Sequence, residues 1–65
     1  MKIHYFQDTD TLLIVFNDNY KMESKDLNEN ILLDLDSEGR VVSMTIEHAR
    51  QQTNVTEFTY QFAAN

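Results

Sequence analysis

Residues 31–47 read ILLDLDSEGRVVSMTIE. Apolar runs on both sides of Asp36-Ser37-Glu38-Gly39 predict two strands, over 31–36 and 40–47, joined by a tight turn. Asp at the first position and Gly at the last suit a type I turn. Gly39 then takes the left-handed position of a three-residue hairpin loop. The start of a calcium loop competes for the same residues, with Asp34, Asp36 and Glu38 as alternating ligands. That loop also needs a bidentate Glu at its twelfth position and a helix on each side. The twelfth residue here is Thr45, and the residues after Gly39 are strand-like. The turn accounts for every residue, so Asp36 and Gly39 are assigned a structural role and no metal site is expected.

A simple hairpin fixes a register. With Asp36 opposite Arg40, Leu35 faces Val41, Asp34 faces Val42 and Leu32 faces Met44. Ile31, Leu33, Leu35 and Val41 then line one face. Leu32, Val42, Met44 and Ile46 line the other, with Asp34 near its rim. Apolar side chains on both faces need cover on both. Residues 11–16, TLLIVF, point the same way, because Leu12 to Phe16 are all large and apolar and suit a strand covered on two sides.

The rest of the chain also reads as β. Residues 2–6, KIHYF, are β-prone and are followed by a turn at 7–10. Asn17-Asp18-Asn19 makes another turn, and 20–23 read as a further short strand. Residues 24–30, SKDLNEN, read as a loop or edge segment with charges that discourage unwanted pairing. Residues 47–52, EHARQQ, lack β-branched side chains and predict a short helical turn. In 56–62, TEFTYQF, Phe58, Tyr60 and Phe62 sit two apart, which predicts an aromatic strand with all three on one face. The expected fold is mainly β: one antiparallel β-meander of about five strands, a helical turn near 47–52 and a C-terminal strand near 56–62. The chain reads as a single domain, residues 1–65, of which 53–65 form an aromatic tail.

A chain of 65 residues buries only about 60% of the surface it exposes when unfolded. Small domains gain stability from disulfides, metals or association. Cysteine is absent, which removes disulfides and thiolate zinc sites and leaves association, expected as a homodimer. Eleven acidic against five basic residues give a net charge of −6. That argues against a nucleic-acid backbone as ligand and suits a basic protein partner, or simply solubility. The start, MKIHYF, lacks a secretory apolar core, and no apolar run is long enough to cross a membrane. A cytoplasmic protein with no membrane contact is expected. His4 and His48 are the only histidines and have no visible third ligand, so zinc is not expected. No nucleophile elbow or phosphate loop accompanies them. No enzyme and no cofactor are expected.

Several short patterns occur in a fixed order: Met1-Lys2-Ile3-x-Tyr5, Asp10-x-Leu12-x-Ile14, Ile31-x-x-Asp34-x-Asp36-x-x-Gly39-x-Val41-Val42, and Ile46-x-x-Ala49. Together they resemble domain-of-unknown-function family 2283, a set of small bacterial β-rich proteins, over roughly residues 1–50. The family usually continues G-I-E-I-L-x-A-S where this chain has Ser43-Met44-Thr45-Ile46-Glu47-His48-Ala49-Arg50. The Gly, Glu and Ser of that pattern are replaced, and no role resting on them carries over. The aromatic tail lies outside the pattern. The resemblance implies a compact antiparallel sheet and no established activity. Members often lie beside small proteins that look like toxins of the RelE-like class, which implies an antitoxin-like role.

The expected function is therefore a small, acidic, non-enzymatic protein–protein interaction module, antitoxin-like, that neutralises a basic toxin-like partner. Phe58, Tyr60 and Phe62 are the candidate partner-binding residues, because three aligned aromatics are costly to expose. They would equally serve a self-associating structural or regulatory homodimer, the alternative. An acidic nucleic-acid mimic is a further alternative, but it needs a regular stripe of carboxylates. Here the carboxylates cluster at turns: Asp8 and Asp10, Asp18, and Asp36 with Glu38.

Overall fold

Four runs carrying β-branched or aromatic side chains form the strands β1 (Lys2–Phe6), β2 (Thr11–Val15), β4 (Ile31–Leu35) and β5 (Val41–Glu47), and the polar run ESKDLN forms β3 (Glu23–Asn28). One helical turn follows, α1 (Ala49–Gln52). A computed structural model describes residues 1–64 of the chain. The strands make a single antiparallel sheet in the order β1-β2-β5-β4-β3. Each hairpin pairs chain neighbours, and the one long connection, from β2 to β3, carries the chain past the ends of β5 and β4. Phe16 N–H donates to Val42 C=O at 2.8 Å, and Met22 N–H donates to Leu35 C=O at 2.8 Å, so this connection extends a ladder at each of its ends.

The β4–β5 register differs from the simple hairpin. Leu35 does lie opposite Val41, but Asp34 lies opposite Ser43, Leu33 opposite Met44 and Leu32 opposite Thr45. Val42 is the extra residue of a β-bulge, and every side chain beyond it is shifted by one position relative to the expected pairing. The physical reason is visible at Asp34. In the unbulged register its carboxylate would face Val42; in the bulged one it faces the Ser43 hydroxyl, which donates to it at 2.7 Å.

The shift sorts the sheet into unlike faces. Pleat alternation and the registers put Leu12 and Ile14 beside Ile46 and Met44 on one face. Ile31 and Leu33 continue that face on β4, and Ile3 and Tyr5 continue it on β1. The opposite face mixes Leu13, Val15 and Leu32 with Ser24, Asp34, Ser43 and Thr45. Apolar side chains thus occur on both faces, but the expected grouping of Leu32, Val42, Met44 and Ile46 on one face is corrected. Val42 is buried while Val41 is exposed, and Leu32 belongs to the mixed face.

The core is thin. Leu12, Ile46 and Ala49 form its buried centre, with Ile3, Tyr5, Ile14, Ile31, Met44 and Val55 packed around them. The α1 turn and the residues after it are thus the second layer over the apolar face. Among the described residues no large side chain is completely buried.

Two local expectations differ from the structure. The third strand runs over Glu23–Asn28 rather than 20–23, so most of the segment read as a loop or edge is an edge strand, exposed at every position. Packing does not select this strand; pairing with β4 does, including a register shift between Asp26 and Asn28. The aromatic tail makes no strand: residues 57–64 have no regular structure. Alternation alone does not make a strand there, because these residues add to neither sheet edge.

Candidate interaction surface

The acidic residues of the 34–39 stretch are engaged by protein donors. Asp36 Oδ1 accepts from the backbone N–H groups of Glu38 and Arg40, each at 2.9 Å. Its Oδ2 accepts from Asn19 Nδ2 and Arg40 Nε, each at 3.0 Å. Gly39, at φ +81°, closes the turn by donating to Asp36 C=O at 3.1 Å. These donors, the Arg40 N–H first, outweigh the opposing effect of desolvation and hold the Asp36 carboxyl at about 2, below its ordinary 3.8. Asn19 comes from the β2–β3 connection, so Asp36 ties that connection to the turn.

Asp34 forms a second cluster on the mixed face. Ser24 Oγ of β3 donates to it at 2.6 Å and Ser43 Oγ of β5 at 2.7 Å, and Lys21 Nζ lies 3.7 Å away. Burial pushes its pKa up, but the two hydroxyls and Lys21 outweigh burial and hold it below the ordinary value. One carboxylate thus cross-links three adjacent strands. The sequence carried a faint signal of this: a polar residue interrupts the pattern at 24, 34 and 43, and the register makes the three neighbours.

A third polar cluster fastens α1. Asp10, at φ +54°, accepts from Tyr5 Oη at 2.6 Å and from Arg50 N–H at 3.2 Å, while its C=O accepts from Ala49 N–H at 3.0 Å. The Tyr5 bond lowers the Asp10 pKa, and the same bond raises that of Tyr5. The Arg50 guanidinium lies 5.7 Å from the centre of the Tyr5 ring. His48 also adopts φ +54°, and its Nδ1 lies 3.0 Å from Asn30 Oδ1. A non-glycine residue in the left-handed region is uncommon. Here two of them, Asp10 and His48, form the junction that turns the chain from β5 onto the apolar face. His4 lies away from this junction, on the mixed face of β1, with its ring 6.3 Å from that of Phe6. The described residues contain no group of three His, Asp or Glu side chains arranged to hold a metal ion.

Large apolar side chains are exposed at Tyr20, Met22 and Leu27 and along the tail, where the expected partner-binding residues lie. Phe58, Tyr60 and Phe62 are 60%, 70% and 77% exposed. They are not aligned on one strand face, but two of them are brought beside β1. Phe58 and Tyr60 line an apolar groove of about 330 Å³ with Met1 and Ile3. A neighbouring cleft runs from Phe58 under Val55 to Leu12, Ile14 and Ile46. Met1 and Ile3 are the members of this surface that the sequence did not single out; only the return of the tail across the sheet places them there. No described helix is long and apolar enough to cross a membrane.

A family model described as "Protein of unknown function (DUF2283)" matches residues 2–50. The match stops before the tail, so the aromatic surface is built partly from residues outside it. No curated protein and no solved structure matches the chain.

Proposed function

From the premise that the chain belongs to the DUF2283 family, we propose that it is a small, acidic, non-enzymatic protein–protein interaction module. In this reading it is antitoxin-like and acts in the cytoplasm, where it neutralises a basic partner protein. The observation that carries the proposal is the exposure of Phe58, Tyr60 and Phe62, the first two of them on the Met1–Ile3 groove. Contiguous exposed apolar surface marks interaction sites, and aromatic anchors supply most of the energy at such sites. A net charge of −6 speeds encounter with a basic partner and repels acidic ones.

Affinity purification of the tagged chain from its native cells, with mass-spectrometric identification, tests the proposal. A basic partner is expected to co-purify, to dissociate as salt is raised, and to be lost with Phe58→Ala/Tyr60→Ala. Capture that is indifferent to both salt and the double substitution would sink it.

A second reading, a self-associating structural or regulatory homodimer, is favoured by the thin cover of the apolar face. A nucleic-acid mimic has less support, because Asp10, Asp34 and Asp36 spend their oxygens on internal donors.

A further inference from the structure

The two edges of the sheet are unlike. At the β3 edge, Glu23 and Asp26 project from the strand and the register slips between Asp26 and Asn28. Charge and irregularity of this kind protect an edge from pairing. The β1 edge has no irregularity and only one charge, Lys2 at its start. Its pairing with β2 is regular over all five residues, Lys2 to Phe6, and none of the five is acidic. In a chain of charge −6, β1 is the edge that a second acidic copy can approach.

We infer that β1 is a self-pairing edge, through which two copies join antiparallel into one continuous sheet. This rests on the self-association reading above and supplies its geometry. The sequence KIHYF is self-complementary about His4. Antiparallel pairing centred there sets Ile3 against the second copy's Tyr5 on the apolar face. On the mixed face it sets Lys2 against the second copy's Phe6, a cation beside a ring. No like charges of Lys, Asp or Glu meet across the pair. One residue pair further out, Met1 meets the second copy's Gln7, so the acidic turn that follows at Asp8 sits at the Lys2 end of the other strand.

A five-residue strand pair by itself covers less than the roughly 1,200 Å² at which stable specific interfaces begin. The remainder comes from the groove beside it. Met1, Phe58 and Tyr60 flank Ile3, and antiparallel pairing carries that rim next to the Tyr5 end of the other β1. A fully buried aromatic covers roughly 150–250 Å², and Phe58 and Tyr60 still expose 60% and 70% of theirs, so two copies of the pair can add on the order of 400–650 Å² to the contact.

Phe6 supplies the test, because it is 47% exposed and outside the core cluster. Sedimentation velocity on the full chain is compared for wild type, Phe6→Lys, Phe6→Glu and Lys2→Glu/Phe6→Lys, with melting curves to show that each folds. Phe6→Lys places Lys against Lys twice in the symmetric dimer and is expected to weaken it about tenfold or more. Phe6→Glu faces Lys2 and retains the dimer, and the double variant restores it. If Phe6→Lys and Phe6→Glu weaken a wild-type dimer equally, or neither does, the β1 pairing is wrong and self-association survives. A wild type that stays monomeric at hundred-micromolar concentration overturns both.

Discussion

In the turn at 36–39, one aspartate accepts four hydrogen bonds and is 6% exposed. Over residues 57–64, by contrast, three aromatic side chains lie mostly in solvent and the backbone forms no regular structure. The turn spends the Asp36 carboxylate on its own chain, while the exposed Glu38 and Arg40 side chains pair with each other. Beyond Val55, which packs against the core, the tail leaves its rings mostly in solvent. A small chain whose folding contacts and candidate binding contacts are this well separated can change one set with little effect on the other. Substitutions at graded distance from the tail test that separation.

The largest effect is expected in the core that the tail barely reaches. Ile46 is buried at the junction of β5, Leu12 and Ala49, and Ile46→Ala is expected to cost about 2–5 kcal/mol. In so thin a core that approaches the whole stability of the domain. Urea denaturation followed by circular dichroism measures it. A cost below about 1 kcal/mol would mean that the apolar face repacks freely.

Next comes Asp34, the carboxylate shared by β3, β4 and β5. Asp34→Ala leaves the Ser24 and Ser43 hydroxyls without their acceptor, at an expected cost of roughly 2–3 kcal/mol. Acid probes its neighbour in the same way. The folded pKa of Asp36 is depressed, so its stabilising contribution is complete above the ordinary 3.8 and is lost as pH falls through about 2. Asp34 and Asp10 are shifted in the same direction and add to the loss. The melting temperature is therefore expected to fall steeply across this window, and Asp36→Asn to flatten the fall. A profile unchanged by Asp36→Asn would show that ionisation of Asp36 is not what links folding to pH.

These clusters mark the boundary of what the sequence made legible. Apolar and β-prone runs located β1, β2, β4 and β5, and Asp36 with Gly39 located the tight turn, because both are local properties. The bulge at Val42 was not legible. It depends on the buried Asp34 carboxylate reaching Ser43 of the neighbouring strand, a contact between segments nine residues apart. The same holds for β3, which has no buried side chain of its own and exists because β4 offers it a ladder. For the candidate site, the aromatic residues could be named in advance, but not their setting. The return of the chain at His48 and Asp10, both in the left-handed region, brings Phe58 and Tyr60 beside Met1 and Ile3, and neither residue type announces that.

A smaller effect is expected at Gly39, where a Cβ would meet no atom within 4 Å. Only the backbone conformation, φ +81°, opposes Gly39→Ala, at an expected cost of about 1 kcal/mol. A cost of several kcal/mol would imply a contact at this turn that the free chain lacks.

The smallest effect on stability is expected at the tail itself, and it sharpens the comparison most. Phe58→Ala/Tyr60→Ala removes two rings that already face solvent, so thermal unfolding of the dilute chain should change by less than about 0.5 kcal/mol. Binding to a partner, or to a second copy, should fall by far more, because a buried aromatic anchor is worth about 2 kcal/mol or more at an interface. Measuring both quantities on one double variant separates the alternatives. Loss of binding with stability intact means that the tail is a contact surface carried by an independently stable sheet. Loss of stability in the dilute chain means that the rings pack on the apolar face in solution, and the tail is the missing half of the core.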